Sequence, residues 1–365
     1  MRKIDWYILK KLLVTFFFCM ILFTVIAVAV DSSEKTDDFV STGLGTWDII
    51  RKYYFGFVPF IWGLLFPLFV FIAVIFFTSR MAARSEIIAI LASGTSYNRI
   101  LRPYLIGGIF LAFLLWIGNT YLIPRANLIK DNFRTDYLDK NDPMKNQRYG
   151  RCFNCFYLRI DTNTYIGLKT WDSASKSANT FFLERIKNDQ VVYNVRANSI
   201  KWDTAVKKWK LYNATIRTVD SMGETVRYYA DTIFNMSLKP EELRKDEYLK
   251  DKLTTPELAA FIKREEARGT EGLSAMKVEK HRRTATPATV LLLTIIGVVI
   301  ASRKTRGGSG MHLALGIIIA ALFIIADRFS TVFATKSNFP PVLAAWLPNI
   351  VFSVVAYWMY RRTPK

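Results

Sequence analysis

Charge is absent from six stretches of this chain and dense between them. Leu12 to Val30, Tyr53 to Ser79, Pro103 to Pro124, Thr284 to Ser302, Met311 to Ala326 and Ser337 to Tyr360 hold no Asp, Glu, Lys or Arg over 19, 27, 22, 19, 16 and 24 residues. A bilayer core of about 30 Å takes about 20 apolar residues as an α-helix. Lipid offers no partner to a bare backbone, so helices are the only candidates at these lengths. The pattern predicts six membrane-spanning helices, with the short fifth run extending through Asp327 to the membrane edge. The first run also has the look of a signal peptide, with Lys10 and Lys11 ahead of it and Ala27-Val28-Ala29 as a small-residue cleavage site. Its length exceeds the roughly 7–15 residues of a secretory h-region, which favours a span.

Between the third and fourth spans the pattern changes. Tyr157 to Ile166, Val191 to Trp202, Trp209 to Val219 and Arg227 to Met236 are rich in Val, Ile, Tyr, Trp and Thr. They are separated by turn-like groups such as Lys187-Asn188-Asp189 and Asp220-Ser221-Met222-Gly223. These runs predict an antiparallel sandwich or open roll. Past Lys239-Pro240 the pattern turns helical: Thr255-Pro256-Glu257 is a start signal, Gly269 a stop, and Pro256 to Arg268 one helix. The expected organisation is 1–124 with three spans and a short helix over about 82–93, a soluble insert at 125–283, and 284–365 with three more spans. The fold class is membrane α-helical with an inserted all-β domain.

Charge fixes the expected orientation. The ends bearing the termini hold 14 basic residues, among them Arg2, Lys10, Arg80, Arg102, Arg303 and Arg361, against Asp5 and Glu86. The opposite short loops hold five basic and six acidic residues. Lys and Arg accumulate on the cytoplasmic side, so both termini are expected there and the insert beyond the membrane. The net charge of +20 is then largely a topology signal, and no nucleic-acid partner is expected. With 51% hydrophobic and 15% aromatic residues, intrinsic disorder and small disulfide scaffolds are excluded.

Signatures of catalysis are missing from the sequence. No G-x-x-x-x-G-K-[ST] phosphate loop occurs; Gly307-Gly308-Ser309-Gly310 lacks the lysine. Two histidines, His281 and His312, leave little for general-base or metal chemistry. Cys152-Phe153-Asn154-Cys155 has no second C-x-x-C, which argues against zinc; a local disulfide and two free thiols both fit. Cys19 lies mid-span as an apolar filler. A non-catalytic protein with no cofactor and no metal is expected.

Several local patterns together carry a resemblance. Met81-Ala82-Ala83-Arg84-Ser85-Glu86-Ile87-Ile88-Ala89-Ile90-Leu91-Ala92-Ser93-Gly94 follows the second span, and Glu279-Lys280-His281-Arg282-Arg283 with Pro287 opens the fourth. Arg303, Arg306, Gly307 and Gly308 follow it, and Pro340-Pro341 and Trp346-Leu347-Pro348-Asn349 mark the sixth. In order and spacing the chain resembles the lipopolysaccharide-export permease family, the LptF/LptG proteins, over nearly its whole length. Ile4-Asp5-Trp6-Tyr7-Ile8 and Val30-Asp31 lean toward its LptG member. The resemblance implies a jellyroll-like periplasmic β domain and a multi-pass protein of the Gram-negative inner membrane. It implies pairing with a second permease of the family and with a cytoplasmic ABC ATPase dimer. The implied cargo is lipopolysaccharide, passed from among the membrane lipids to periplasmic jellyroll bridge proteins. A permease of this architecture for another lipid or glycolipid, or a non-transporting envelope-assembly scaffold, are the alternatives.

By the same resemblance the segment after the second span is a coupling helix seated on the ATPase, with Arg84, Glu86, Ile87, Ile90, Leu91 and Gly94 as its site residues. Ile87, Ile90 and Leu91 share one face at helical spacing, and Gly94 is a stop signal. Arg134 in Asn132-Phe133-Arg134 matches a lipid-facing arginine, and guanidinium suits phosphate through its bidentate fork. Lys130 and Arg125 are further head-group candidates. LptG-like members carry a lysine near the outer end of the first span; here Ala27 to Val30 has none, and Lys35 is the nearest. Arg282 and Arg283 are expected as interfacial anchors, and Pro348-Asn349 as a kink in the sixth span.

Overall fold

The computed structural model describes residues 3–138, 151–172, 175–220, 223–236, 238–240, 249–268, 270, 272–303, 308–337 and 339–362, with backbone alone at 151–158 and 308–309. The Cys152 and Cys155 thiols, Ser221, Met222, Lys304, Arg306 and Gly307 lie outside the described part. The chain divides into two compact units. One comprises Met1–Phe133, Lys250–Ala259 and Ser274–Lys365; the other Arg134–Leu249 and Ala260–Leu273.

The first unit is the membrane bundle. Its helices are α1 (Lys3–Glu34), α2 (Thr36–Ser41), α3 (Thr46–Ile49), α4 (Phe55–Ala83), α5 (Glu86–Ala92), α6 (Tyr97–Ile117) and α7 (Ile123–Phe133). After the insert come α8 (Leu249–Lys252), α9 (Thr255–Arg268), α10 (Ser274–Ala301), α11 (Gly308–Lys336) and α12 (Pro341–Arg361). Single π-helical turns, Ile50–Tyr54 and Gly118–Leu122, join α3 to α4 and α6 to α7. Among the described residues, six continuous helical stretches, one per charge-free run, are long and apolar enough to cross a membrane. The fifth run extends through Asp327 as expected, because α11 continues to Lys336.

The fourth span is the hub. α10 packs on α4, α6, α11 and α12, while α1 packs on α4 and α6. Phe16, Phe69, Val70, Tyr104, Leu111 and Val290 form the dry centre of one cluster; Phe71, Ile75, Ile296 and Ala301 form another. In lipid the hydrophobic effect does not pull helices together, so close approach at small residues does. Gly56 lets α4 touch the α7 backbone at Ala126 and Lys130, and a Cβ on Gly297 would press on Val74 and Phe71. Asn349 ties α12 to α10: its Nδ2 donates to Ala285 O (2.9 Å), and its Oδ1 accepts from Thr289 Oγ1 (2.8 Å). Pro348 lies inside the continuous helix α12, beside this polar clamp.

Among its described residues the second unit holds one sheet of six antiparallel strands: β1 (Arg151–Asp161), β2 (Thr164–Asp172), β3 (Ser177–Lys187), β4 (Gln190–Asp203), β5 (Lys208–Asp220) and β6 (Gly223–Phe234). Their order in the sheet is their order in the chain, β1 through β6. Two corrections to the sequence reading follow. The run Tyr157–Ile166 is two strands with a turn at Thr162-Asn163, which lacks Gly and Pro. β3 was not foreseen at all, because Ser177 to Lys187 mixes polar residues with its inward positions.

The inward side chains form two transverse rows of cross-strand partners. Leu168, Phe181, Ala197 and Ala214 make one; Trp171, Ala178, Ile200 and Leu211 make the other. Alternation would separate inward residues by two, yet three residues separate the rows in each of β2 to β5. All four strands slip parity along one line, where Thr180 (φ 53°) and Asn213 (φ 49°) adopt the left-handed region. A β-branched residue rarely does so. Such a line of extra residues bends a sheet. The bend accounts for full burial of Val195, Leu211 and Ala214 in a cluster whose described members are strand residues plus Leu238. Trp209 anchors it, donating from Nε1 to Leu238 O (2.7 Å).

Candidate coupling and head-group sites

At the end of the bundle that holds the termini, α4 stops in an elbow. Ser85 sits at φ 60°, ψ 14°, a left-handed turn in a non-glycine residue, and α5 starts at Glu86. The helix is therefore shorter than the 82–93 expected, since Ala82 and Ala83 finish the second span. Ala89 N–H donates to Ser85 O (2.9 Å), and Gly94 N–H to Leu91 O (3.0 Å) with Gly94 at φ 82°. Only glycine enters that conformation without strain, so Gly94 ends the helix as its sequence position suggests.

Burial assigns two faces to α5. Ile87 is 2% exposed and belongs to the bundle core, and Ile90 and Leu91 pack partly buried against that core. Ile88, at 49%, points outward with Ala89, Ala92 and Ser93. Arg84 and Glu86 flank the elbow with Nη1 and Oε1 3.9 Å apart and both side chains in contact with solvent. The sequence reading missed Ile88, although it is the one large apolar residue off the Ile87–Ile90–Leu91 face.

At the opposite end, Lys35 is gathered into an aromatic box. Its ammonium pairs with Asp31 Oδ1 one turn earlier and donates to the Tyr53 hydroxyl. It also lies 4.9 Å from the Tyr53 ring centre and 5.6 Å from that of Phe57. Tyr53 OH donates to Asp31 (3.2 Å). Phe39, Tyr54 and Phe133 close around Tyr53 at 5.1–5.4 Å between ring centres. Asp31 is 8% exposed, so the cluster is a desolvated carboxylate neutralised by a cation that still reaches the surface. An i, i+4 Asp–Lys pair is legible in sequence; Tyr53 and Phe57, on the next span, are not.

The other candidates are distributed. Lys130 on α7 stacks on Phe60 (3.6 Å to the ring centre) and pairs with Asp131 (3.6 Å), which also faces Lys252 (4.0 Å). Arg125, one turn earlier, is exposed. It adds to the Thr254 hydrogen bonds that hold the Glu257 carboxyl below the usual range. Arg134 opens the second unit, exposed, in the π-helical turn Arg134–Leu138. Lys35, Lys130 and Arg125 thus belong to the membrane unit and Arg134 to the other.

Arg282 and Arg283 are engaged by partners within the bundle. Glu279 holds both, at 3.2 and 3.3 Å, and Arg282 reaches Asp327 on α11 (3.9 Å). Arg283, 6% exposed, donates to Lys250 O and Leu253 O (both 2.7 Å), pinning α8 to α10. Asn127 Nδ2 holds the same segment from α7 through Asp251 O (3.0 Å). Burial, with the Glu279 carboxylate nearby, raises the Asp251 pKa above its ordinary value. Among the described residues no group of His, Cys, Asp and Glu could hold a metal.

Comparison with curated proteins returns no match. The family model for the lipopolysaccharide export system permease LptF/LptG, by contrast, matches residues 6–362. That match begins in the first span, runs through the inserted sheet and ends just after the sixth span, so the chain belongs to the LptF/LptG permease family.

Proposed function

We propose that this chain is one of two paired permeases through which a separate ABC ATPase dimer drives lipopolysaccharide out of the inner membrane. The termini and the elbow face the cytoplasm, and the sheet lies in the periplasm, where it passes the lipid to jellyroll bridge proteins. The orientation is supported by the 14-to-2 excess of basic over acidic residues at one set of ends. Energy from elsewhere is required by the cargo. Exposing acyl chain to water costs roughly 0.8 kcal/mol per CH₂, and the sequence carries no nucleotide-binding loop.

The observation that carries the reading is the elbow at Ser85. It holds α5 by Ile87, Ile90 and Leu91 and leaves Arg84, Glu86, Ile88 and Ala89 facing out, as a short lever between span and partner needs. On this reading Gly94 ends the lever. Lys35, Lys130, Arg125 and Arg134 are the cations available to head-group phosphates. The spans least covered by their own chain, α1 and α11, offer faces to the second permease and to acyl chains.

Detergent extraction of the native complex tests this. An ATPase, a second family permease and a phosphorylated saccharolipid should co-purify. A glycerolipid in place of the saccharolipid would favour the other-lipid permease, the absence of both ATPase and lipid a scaffold. ATP hydrolysis by the isolated chain would overturn the proposal.

A further inference from the structure

A cleft of about 450 Å³ opens on the membrane bundle between α6, α10 and α12. Leu101, Leu105, Leu292, Ile295, Ala356 and Tyr357 line it. It follows α6 from Asn98 to Leu105 and α12 from Ser353 to Tyr360, which is about 10 Å at 1.5 Å per residue. Its volume falls in the range of small-ligand pockets, 300–1,000 Å³.

The cleft is polarised along the membrane normal. At the end that holds the termini, the Tyr360 hydroxyl donates to Asn98 and closes it. Beyond that point the lining is apolar apart from the Tyr357 phenol and Ser353, whose hydroxyl donates to Asn349 O (2.6 Å). Guanidinium groups flank the closed end. Arg102, exposed, follows Asn98 by one turn on the same helix face. Arg361, also exposed, stacks 5.3 Å from the ring of Tyr357, itself a lining residue. None of the nine lining residues is acidic.

This charge distribution selects the occupant. The spans of a second copy carry one acidic residue within a helix start at this end, Asp5 in the first turn of α1, whereas the surrounding leaflet supplies anionic head groups in excess. A lipid with its head group at the insert end would lie the wrong way round. We infer that the cleft holds one acyl chain of an anionic glycerophospholipid from the leaflet on the side of the termini, its phosphate between Arg102 and Arg361. The site is separate from the head-group candidates at the opposite end and does not depend on the identity of the cargo.

Native mass spectrometry of the purified full-length chain tests it, after incorporation into nanodiscs of mixed phosphatidylglycerol and phosphatidylethanolamine. The wild type should keep one phosphatidylglycerol after bulk lipid is stripped. Each basic side chain near a membrane contributes appreciably to anionic-lipid binding. The double variant Arg102→Gln/Arg361→Gln should therefore lose the preference for phosphatidylglycerol by about tenfold or more. Ser353→Phe, which fills the cleft, should abolish retention of either lipid with an unchanged melting temperature. Should that variant fail to fold, the arginine variant decides alone. Equal retention of the two lipids by the wild type would overturn the inference. So would a double variant that still prefers phosphatidylglycerol, or a second protein chain displaced by Ser353→Phe.

Discussion

Glu86→Arg separates coupling from folding. In the free chain Glu86 faces Arg84 at 3.9 Å, with the two side chains 31% and 59% exposed. An exposed pair of this kind contributes about 0–1 kcal/mol. Two guanidinium groups at that distance in water repel by about 1 kcal/mol. Loss of a carboxylate from the first turn of α5 removes a further 0.3–1 kcal/mol of helix-dipole stabilisation, roughly. The fold should therefore lose about 2 kcal/mol, small for a bundle whose core is elsewhere, and melting should fall by a few degrees. At an interface the arithmetic differs. A carboxylate desolvated against a basic partner residue and then reversed in sign costs about 2–5 kcal/mol, roughly 30-fold to several thousand-fold in affinity. The assay measures three quantities: recovery of the ATPase on the tagged permease, export in cells depleted of the native chain, and thermal unfolding of the chain alone. The expected result is lost ATPase recovery and lost export with near-normal unfolding, restored when the facing base on the ATPase is exchanged for an acid. Wild-type recovery and export by Glu86→Arg would refute the coupling role. A collapse of the melting temperature would show that Glu86 supports the fold instead.

Three further outcomes follow from the packing. Gly167→Val should destabilise the β domain by about 1–3 kcal/mol through overpacking, because a Cβ there would overlap the ring of Phe182 directly across the strand pair. Limited proteolysis of the full chain reads this, and the loss should shrink in a Phe182→Ala background; an equal loss in both backgrounds would clear the ring. Asn349→Leu removes two bonds between α12 and α10, worth about 0.6 kcal/mol each in a membrane. A melting shift equivalent to about 1–2 kcal/mol is expected, and none at all would mean that the clamp is idle. Asp251 has its pKa raised by burial, so the stability tied to its protonated form is complete at acid pH and lost as pH rises through the folded-state pKa. Asp251→Asn should flatten that decline in melting scans from acid to neutral pH, and parallel wild-type and variant curves would exclude the linkage.

Much of the membrane unit could be read from the chain because its solvent imposes one rule, and charge-free runs of sufficient length obey it. Every such run became a helix, and most of the helical stretches overran their runs, as α1 does from Lys3 to Glu34, since charged ends can reach the interface without ending the hydrogen-bond ladder; α12 instead starts at Pro341, inside its run. The sheet was harder. Its bend requires each of β2 to β5 to break alternation at the same transverse line, so inward residues such as Ala178 and Phe181 fall out of period. That broken period concealed β3, and the absence of Gly or Pro at Thr162-Asn163 hid the boundary between β1 and β2.

The candidate sites show the same division between local and non-local information. The sequence reading singled out Glu86 through the family resemblance and Lys35 as the nearest lysine to the end of the first span. It could not show that Ile87 faces inward and Ile88 outward, which depends on how the elbow at Ser85 lays α5 against the bundle. Nor could it show that the Lys35 ammonium already holds a carboxylate and a phenol, since Tyr53 arrives from the next span. That arrangement changes what a phosphate must do there. An ammonium has three N–H donors, and Asp31 and Tyr53 take two of them, so on the proposed reading a phosphate reaching Lys35 would take the third beside the negative charge of Asp31. Repulsion from the Asp31 carboxylate would oppose a phosphate there unless other cations helped to hold it. On the proposed reading a head group with two phosphates would meet that condition more readily than one with a single phosphate, because its second phosphate could engage the other cations.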